Sequence, residues 1–538
     1  MPRMNDGSLF YLEAAYLVCL VMGKTTRLKS ALYGNHFKTD LRKLYALASK
    51  SLQSGALLNA VIDHCGLLEK ENPAHLIVHN ISNDSYGCKR CFLVVLSYDL
   101  LMGCQHSAYD LVSLELTKIT GDRTTAQKLR QSYEAICKQN PQNLTTTATG
   151  FSLPCYARVN QLCASLDCVL QELSTHGFKQ LLYNRENISY RRFLKKVKKL
   201  EGNQFMLDYH LPHVLLVFPP GLCLHKLPPS VSGNLIIQDK ASCIATEVLR
   251  PLAGADVLDA CAAPGNKTLH LVAAMSPDST LFAVDWDPTR FRLLCEHLSA
   301  SGVQYLITSG PLNSSSIHLE SSTENTRTQP TVEALCEDFL SLNPHDPKFS
   351  RVKYILLDPS CSGTGLYGRQ PDVTRPLNSP TTDQSRRYDL VDEHEAERLQ
   401  RLSNLQAKLL RHALSFPNLE RVVYSTCSIH SEENETVVSE SVEREAGKFQ
   451  LERIWMDPPS ESGGCNKPFW PHRGFSDFGC EPCIRASPEE DLTNGFFIAS
   501  FKRVFQSDLS ESAETKTKRR NSQDSIDGVC MKKPKIAT

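Results

Sequence analysis

The chain has 538 residues, 41% of them hydrophobic and 22% charged, with 59 basic side chains balanced by 59 acidic ones. These totals are ordinary for a soluble globular protein, with length and apolar material for two to four packed domains. The 20 cysteines lack the dense, even spacing of a secreted disulfide scaffold and read as reduced thiols of a cytosolic or nuclear protein. The balanced charge does not exclude nucleic acid, because binding depends on where the positive charge sits.

Leu9 to Met22 is apolar, but Glu13 interrupts it, no clear cleavage site follows, and it is too short to span a bilayer. It reads as a buried helix, and no membrane partner is expected. Residues 1–145 repeat apolar positions at helical spacing, notably Leu41–Leu68, and form a predicted helical domain. A polar loop follows near Pro141. Residues 146–232 mix patterns: Ala157–Asn160 and His213–Phe218 read as strands, and Ser165–Gly177 as a capped helix ending in glycine. Tyr190–Leu200 (YRRFLKKVKKL) would offer a positive helix face to phosphates or simply a solvated face.

In residues 233–505, strand and helix patterns alternate. Ala255–Ala260, Thr280–Asp285, Val352–Asp358 and Arg421–Thr426 are short apolar runs, each opening into a loop or helix. The expectation is an open, mainly parallel α/β sheet with its ligands beyond the carboxyl ends of the strands. Two polar inserts, at about 310–330 and 367–390, read as surface excursions. Residues 506–538 form a polar tail, expected to be disordered. Its basic clusters, Lys516–Arg520 and Lys532–Lys535, read as a bipartite import signal for an import receptor, or as a non-specific RNA-binding tail.

The first strand runs into Cys261-Ala262-Ala263-Pro264-Gly265-Asn266-Lys267-Thr268, with a tight turn at Pro264-Gly265 before a helix. Backbone amides there can meet the carboxylate of a methionine moiety. Asp285, at the end of the next strand, can accept ribose hydroxyls, and Arg290 can brace that acid or the ligand. A dinucleotide fingerprint needs three glycines and a P-loop needs glycine directly before Lys-Thr; this loop has neither. The combination favours an adenosyl ligand.

The third and fourth strands open into Asp358-Pro359-Ser360-Cys361 and Thr426-Cys427-Ser428. Methylating carbon 5 of cytosine asks for such a pair. A thiolate added at carbon 6 makes carbon 5 nucleophilic, and a second thiol assists removal of the carbon 5 hydrogen and release of the enzyme. Asp358 can hydrogen-bond the base's polar edge, and Lys267 can lower a thiol's pKa. Either cysteine alone would more readily be a buried structural thiol. Two Cys-x-x-Cys pairs, Cys88/Cys91 and Cys480/Cys483, are each half a zinc site, but with Cys465 and His472 they complete no standard ligand set, so no metal is expected.

Asp259–Thr268, the acid Asp285, the segment around Asp338, Leu356–Gly365 and Val423–Glu435 together resemble the Sun-domain RNA (cytosine-5) methyltransferases of the RsmB/NOP class. Ala157–Asn160, Ile236–Ser242, Trp470–Gly474 and Asn494–Ala499 extend the resemblance over about Pro154–Phe501. Asn266, the Asp-Pro-Ser-Cys order and the N-terminal helical region are most similar to the fifth-member subgroup acting on large-subunit 25S/28S rRNA. The resemblance implies a Rossmann-like class I S-adenosylmethionine methyltransferase domain with a small RNA-binding-like α/β module ahead of it. It implies cofactor contacts from Cys261, Ala262, Ala263, Pro264, Gly265, Asn266, Lys267, Asp285, Arg290, Asp338 and Asp358. It implies Cys427 as nucleophile, Cys361 as the residue aiding release, rRNA as partner and the nucleolus as location. A transfer RNA substrate, a non-catalytic RNA-binding assembly factor and a methyltransferase acting on amines or proteins are the competing readings.

Overall fold

The computed structural model describes residues 6–22, 28–33, 37–67, 80–81, 84–85, 89–103, 109–139, 152–309, 329–366, 393–456 and 469–505. The two inserts lie almost wholly outside these residues, as do Cys88, Cys465 and the tail. The chain divides into two compact units, with the break between Ser152 and Leu153.

The N-terminal unit is helical: α1 (Asp6–Met22), α2 (Leu28–Tyr33), α3 (Leu41–Gln53), α4 (Gly55–His64), α5 (Lys89–Met102), α6 (Tyr109–Thr120) and α7 (Thr125–Gln139). Helix α5 is buried continuously from Cys91 to Ser97, as its all-round apolar sequence requires. Ala14, Leu17 and Val18 of α1 belong to the same core. Glu13, which breaks the apolar run of α1, is buried and accepts hydrogen bonds from the main-chain amides of Lys38 (2.9 Å) and Thr39 (3.2 Å). Its charge is thus satisfied by the chain leading into α3. Among the described residues no helix is long and apolar enough to cross a membrane.

The second unit holds two sheets. The smaller comprises β1 (Cys155–Val159), β2 (Lys179–Gln180), β3 (Gln204–Leu207), β4 (Leu215–Phe218) and β5 (Leu235–Ile237), in the order β2-β3-β4-β1-β5. Helix α8 (Leu166–Thr175) is capped by Ser165, whose hydroxyl accepts from the Cys168 amide, and Gly177 leaves it at φ +81°. Helix α9 (Tyr190–Val197) buries Tyr190, Phe193, Leu194 and Val197 and leaves Arg191, Arg192, Lys195 and Lys196 exposed.

After α10 (Pro228–Val231) and α11 (Lys240–Leu249), the larger sheet begins. Its strands are β6 (Asp256–Asp259), β7 (Thr280–Val284), β8 (Tyr305–Ser309), β9 (Thr331–Leu335), β10 (Val352–Leu357), β11 (Arg421–Thr426), β12 (Phe449–Leu451), β13 (Ile484–Ala486) and β14 (Phe496–Arg503). The order is β8-β9-β7-β6-β10-β11-β14-β12, with β13 also on β14. Every pairing from β8 to β11 is parallel. The sequence pattern predicts a mainly parallel sheet, and the structure adds antiparallel strands at one end, because β14 runs back against β11 (Tyr424 opposite Ala499). Helices α12 (Asn266–Ala274), α13 (Pro288–Ala300), α14 (Glu393–Leu414), α15 (Glu435–Arg444) and α16 (Pro488–Asp491) fall between the strands. The strand order reverses between β6 and β10, so their carboxyl ends flank the crevice where such sheets bind ligands.

The small module and the larger sheet fall in the same compact unit. Lys240 and Asp208, both fully buried, meet at 2.7 Å across them, with the Lys240 ammonium over the rings of Tyr190 (4.9 Å) and Trp470 (5.5 Å). Burial alone would raise the Asp208 carboxyl, but the Lys240 ammonium, His210 and the hydrogen bond from the Leu211 amide together outweigh it and the net shift is downward.

Candidate active site

The loop leaving β6 is folded on itself. Asp259 is buried and accepts from the Thr268 hydroxyl at 2.8 Å, and that hydroxyl also reaches the Ala262 carbonyl at 3.2 Å. Burial pushes the Asp259 carboxyl up to about 7, against the opposing effects of Thr268 and Lys267. The Ala263–Pro264 bond is cis, and Gly265 follows at φ +109° as the N-cap of α12. A Cβ at Gly265 would also come within 3.1 Å of Leu294. Only glycine satisfies both demands. Because Gly265 has no side chain to cap α12, no side-chain acceptor occupies the helix N-terminus, an arrangement that suits a carboxylate ligand.

Asp285 leaves β7 beside this loop. Its carboxylate accepts from the amides of Ala263 (3.1 Å) and Asp287 (3.1 Å), and Arg290 lies 3.5 Å away. Arg290 also donates to the Ala263 carbonyl, so it braces both the acid and the loop. Burial raises the Asp285 carboxyl, and Arg290 opposes the rise. Trp286 follows with 67% of its surface exposed. Asp338 lies past the end of β9, exposed, where it caps the turn Phe339–Ser341 through the Leu340 amide (3.0 Å).

The thiols come from adjacent strands. Leu357 of β10 pairs with Tyr424 of β11, and the loops beyond bring Cys361 Sγ and Cys427 Sγ to 3.2 Å. The Cys361 thiol is held far above its ordinary pKa, first by its hydrogen bond to Cys427 and then by burial. Of two thiols this close, one keeps its proton while the other ionises, and the retained proton lies between the two sulfurs. Asp358 accepts from Lys267 Nζ at 2.7 Å and from Ser425 Oγ at 2.7 Å. Burial works against the Lys267 charge, but Asp358, Asp259 and Cys427 together raise its pKa, so the ammonium persists beside the thiols.

The 28S rRNA (cytosine-C5)-methyltransferase of Mus musculus is 34% identical to this chain, over 92% of the chain and 91% of the mouse protein. The chain belongs to the NOL1/NOP2/Sun-domain methyltransferases. The model of the 16S rRNA methyltransferases RsmB/F matches residues 246–502 of this Sun-domain protein, and that of the ferredoxin-like domain of family member 5 matches residues 153–238. The 25S rRNA (cytosine-C5)-methyltransferase NSUN5 of Arabidopsis thaliana is 31% identical over 92% of the chain and 70% of the plant protein. The crystal structure of PH0851 shares the fold, with a TM-score of 0.52 at 19% identity, covering 92% of this chain and 98% of that one. As a Sun-domain enzyme the protein is S-adenosylmethionine-dependent, and the uncapped α12 with Asp285 beside it suits that ligand.

Several further residues of this Sun-domain site had no individual role assigned from sequence, although Glu433, Asn434, Arg158, Gly365 and Gly495 lie in the segments that carry the resemblance. Glu433 is fully buried and accepts from the Ser362 amide (2.8 Å) and from Gln406 (3.0 Å). Asn434 donates to the Ser428 carbonyl at 2.9 Å and accepts from Thr426. Arg158, fully buried, donates to Gln238 (2.8 Å) and to the Asn266 carbonyl (3.3 Å), tying the small sheet to the first residue of α12; burial lowers its pKa to about 10. Gly365 and Gly495 touch backbone to backbone, with the Gly365 amide on the Cys427 carbonyl (2.9 Å) and the Gly495 amide on the Gly365 carbonyl (2.8 Å). Cys480 and Cys483 are buried, and no group of three or more metal-ligating side chains occurs among the described residues.

Proposed function

We propose that this protein methylates carbon 5 of a cytosine in large-subunit ribosomal RNA through a covalent bond from Cys427 to carbon 6 of the base. The observation that carries the reading is the thiol pair at 3.2 Å, beside the Lys267–Asp358 pair, at the ends of β10 and β11. Cys427 adds to carbon 6 while the Lys267 charge stabilises its thiolate. Asp358, oriented by Lys267 and Ser425, has lone pairs left to accept from the amino edge of the base. S-adenosylmethionine supplies an electrophilic methyl group, which carbon 5 takes up once carbon 6 is substituted. The Cys261–Lys267 loop, Asp285 and Arg290 would hold the cofactor's amino acid and ribose, and Asp338 and the exposed ring of Trp286 would serve its base. The proton on carbon 5 then leaves, its bonding pair restores the ring double bond, and the carbon 6–sulfur pair returns to Cys427.

Two further features support an RNA substrate. The exposed cations of α9 lie on one face over a packed aromatic underside, as backbone binding requires. The mouse and Arabidopsis relatives are named for 28S and 25S rRNA. We also propose that the basic tail engages an import receptor and that the enzyme works in the nucleolus; a fluorescent fusion lacking residues 506–538 that still concentrates there would exclude the tail's role, and a full-length fusion absent from the nucleolus would exclude the location.

The deciding experiment is bisulfite sequencing of total RNA from cells lacking the protein, rescued with wild type or Cys427→Ala. Loss of one mark in large-subunit rRNA, restored by wild type alone, is expected. A transfer RNA site lost instead would overturn the substrate, and rescue by Cys427→Ala would overturn the mechanism.

A further inference from the structure

Cys361 is held from both sides by one buried unit. Glu433 Oε1 accepts from the Ser362 amide at 2.8 Å, and its Oε2 accepts from the Ser362 hydroxyl. Gln406, on α14 and also fully buried, splits its side-chain amide between Glu433 Oε1 (3.0 Å) and the Ser360 carbonyl (3.0 Å). The residues before and after Cys361 are therefore pinned to the same carboxylate–amide pair. These donors are neutral: a main-chain amide, a hydroxyl and a side-chain amide. Keeping a carboxylate buried among neutral donors is costly for stability, and a hydrophobic pair would hold two elements together as well. The same turn reaches the second thiol loop. The Glu433 carbonyl accepts from Tyr424, two residues into the end of β11, and Asn434 binds on either side of Cys427, at Thr426 and Ser428.

We infer that Glu433 and Gln406 are positioning residues for the release half of the reaction, fixing Ser360–Ser362 so that the Cys361 thiol donates its hydrogen bond to Cys427 Sγ. This rests on the reading of Cys427 as nucleophile. During release the carbon 5 proton passes to solvent water. Its C–H pair becomes the ring double bond, and the carbon 6–sulfur pair moves onto Cys427 Sγ. Nothing is oxidised or reduced. The anion forming on Cys427 is met by the Cys361 S–H, and a displaced Cys361 leaves it without that donor. Capture of the base depends less on this contact, so the clamp acts on departure.

The test compares full-length wild type with Glu433→Gln, Gln406→Leu and Ser362→Ala, and with Cys361→Ala as reference. The substrate is large-subunit rRNA from cells lacking the protein, with S-adenosylmethionine. First-turnover methyl transfer, steady-state turnover, KM and the RNA–protein band on a denaturing gel are followed. The variants should transfer the first methyl group at close to the wild-type rate. Turnover should then fall roughly ten- to a hundredfold, as for a misplaced group near the chemistry, with KM unchanged and the covalent band accumulating as in Cys361→Ala. Wild-type turnover in folded Glu433→Gln and Gln406→Leu, or equal loss of first-turnover transfer and covalent band, would overturn the inference and leave the Cys427 reading standing. A Cys361→Ala enzyme that forms no band removes the release role of Cys361 and the inference with it. Should Glu433→Gln fail to fold, Ser362→Ala, which deletes only a hydroxyl, decides in the same two directions.

Discussion

Gly365→Ala puts one methyl group where three loops meet. A Cβ at Gly365 would lie 2.1 Å from the Gly495 carbonyl oxygen, 2.7 Å from its carbon and 3.0 Å from the Cys427 carbonyl oxygen. All three atoms are backbone, so no side chain can turn aside. Relief needs a shift of roughly 1 Å between the loop of Cys361, the loop of Cys427 and the start of β14, judged against ordinary carbon contact distances. That shift stretches the Gly365 amide to Cys427 carbonyl bond (2.9 Å) and the Gly495 amide to Gly365 carbonyl bond (2.8 Å). Two weakened hydrogen bonds and an overpacked contact together cost about 3–5 kcal/mol of stability. A nucleophile displaced by about 1 Å costs on the order of a hundredfold in rate. The assay is first-turnover methylation of rRNA, with S-adenosylmethionine affinity measured by calorimetry. Affinity should change little, because the atoms that the new Cβ meets belong to Gly495 and Cys427 rather than to the Cys261–Lys267 loop or Asp285. A folded Gly365→Ala enzyme within threefold of wild type in first-turnover rate would show that the backbone contact does not position Cys427.

Burial raises the Asp259 carboxyl to about 7, above its unfolded value, so its contribution to stability is complete below the ordinary carboxylate range and is lost as pH rises through 7. The loss amounts to about 4 kcal/mol, and Asp259→Asn should flatten the fall in melting temperature between pH 4 and 8. Lys240→Met strands Asp208 in the interior and should cost about 3–5 kcal/mol in chemical denaturation, with much of it recovered when Asp208 is replaced by Leu as well. Replacing Arg192, Lys195 and Lys196 with Gln should weaken RNA binding and lower its log–log salt slope by up to about 0.7 per lost phosphate contact, with an unchanged slope counting against α9 as an RNA surface. Asp285→Ala should weaken S-adenosylmethionine binding in calorimetry by at least roughly tenfold, a loss of the size expected when charge-assisted hydrogen bonds to the ribose disappear.

Local signals carried much of this protein. An apolar run that ends in Asp-Pro-Ser-Cys or Ser-Thr-Cys marks where a strand opens, and a lone glycine after proline marks a turn into a helix. These signals need only neighbouring residues, so the tight turn after β6, the acid at the end of β7 and the cysteines beyond β10 and β11 were legible in sequence. Arg290 had two open roles in sequence, and the structure shows it against Asp285 and the Ala263 carbonyl. Glu433, although it lies in the Val423–Glu435 segment, and Gln406 had no role assigned from sequence, because a buried polar group is defined by partners far away in the chain.

By itself the sequence determined the order of elements, the apolar strands and the residues at their carboxyl ends, since hydrophobic period and turn chemistry are local. Only the tertiary structure decided which strands are neighbours. It set β10 beside β11, which brings Cys361 within 3.2 Å of Cys427, and it ran β14 back against β11 so that Gly495 meets Gly365. Strand order is a long-range choice made by packing the whole core. So are the buried partners Lys240 with Asp208 and Glu433 with Gln406, which exist only once separate segments have excluded water between them.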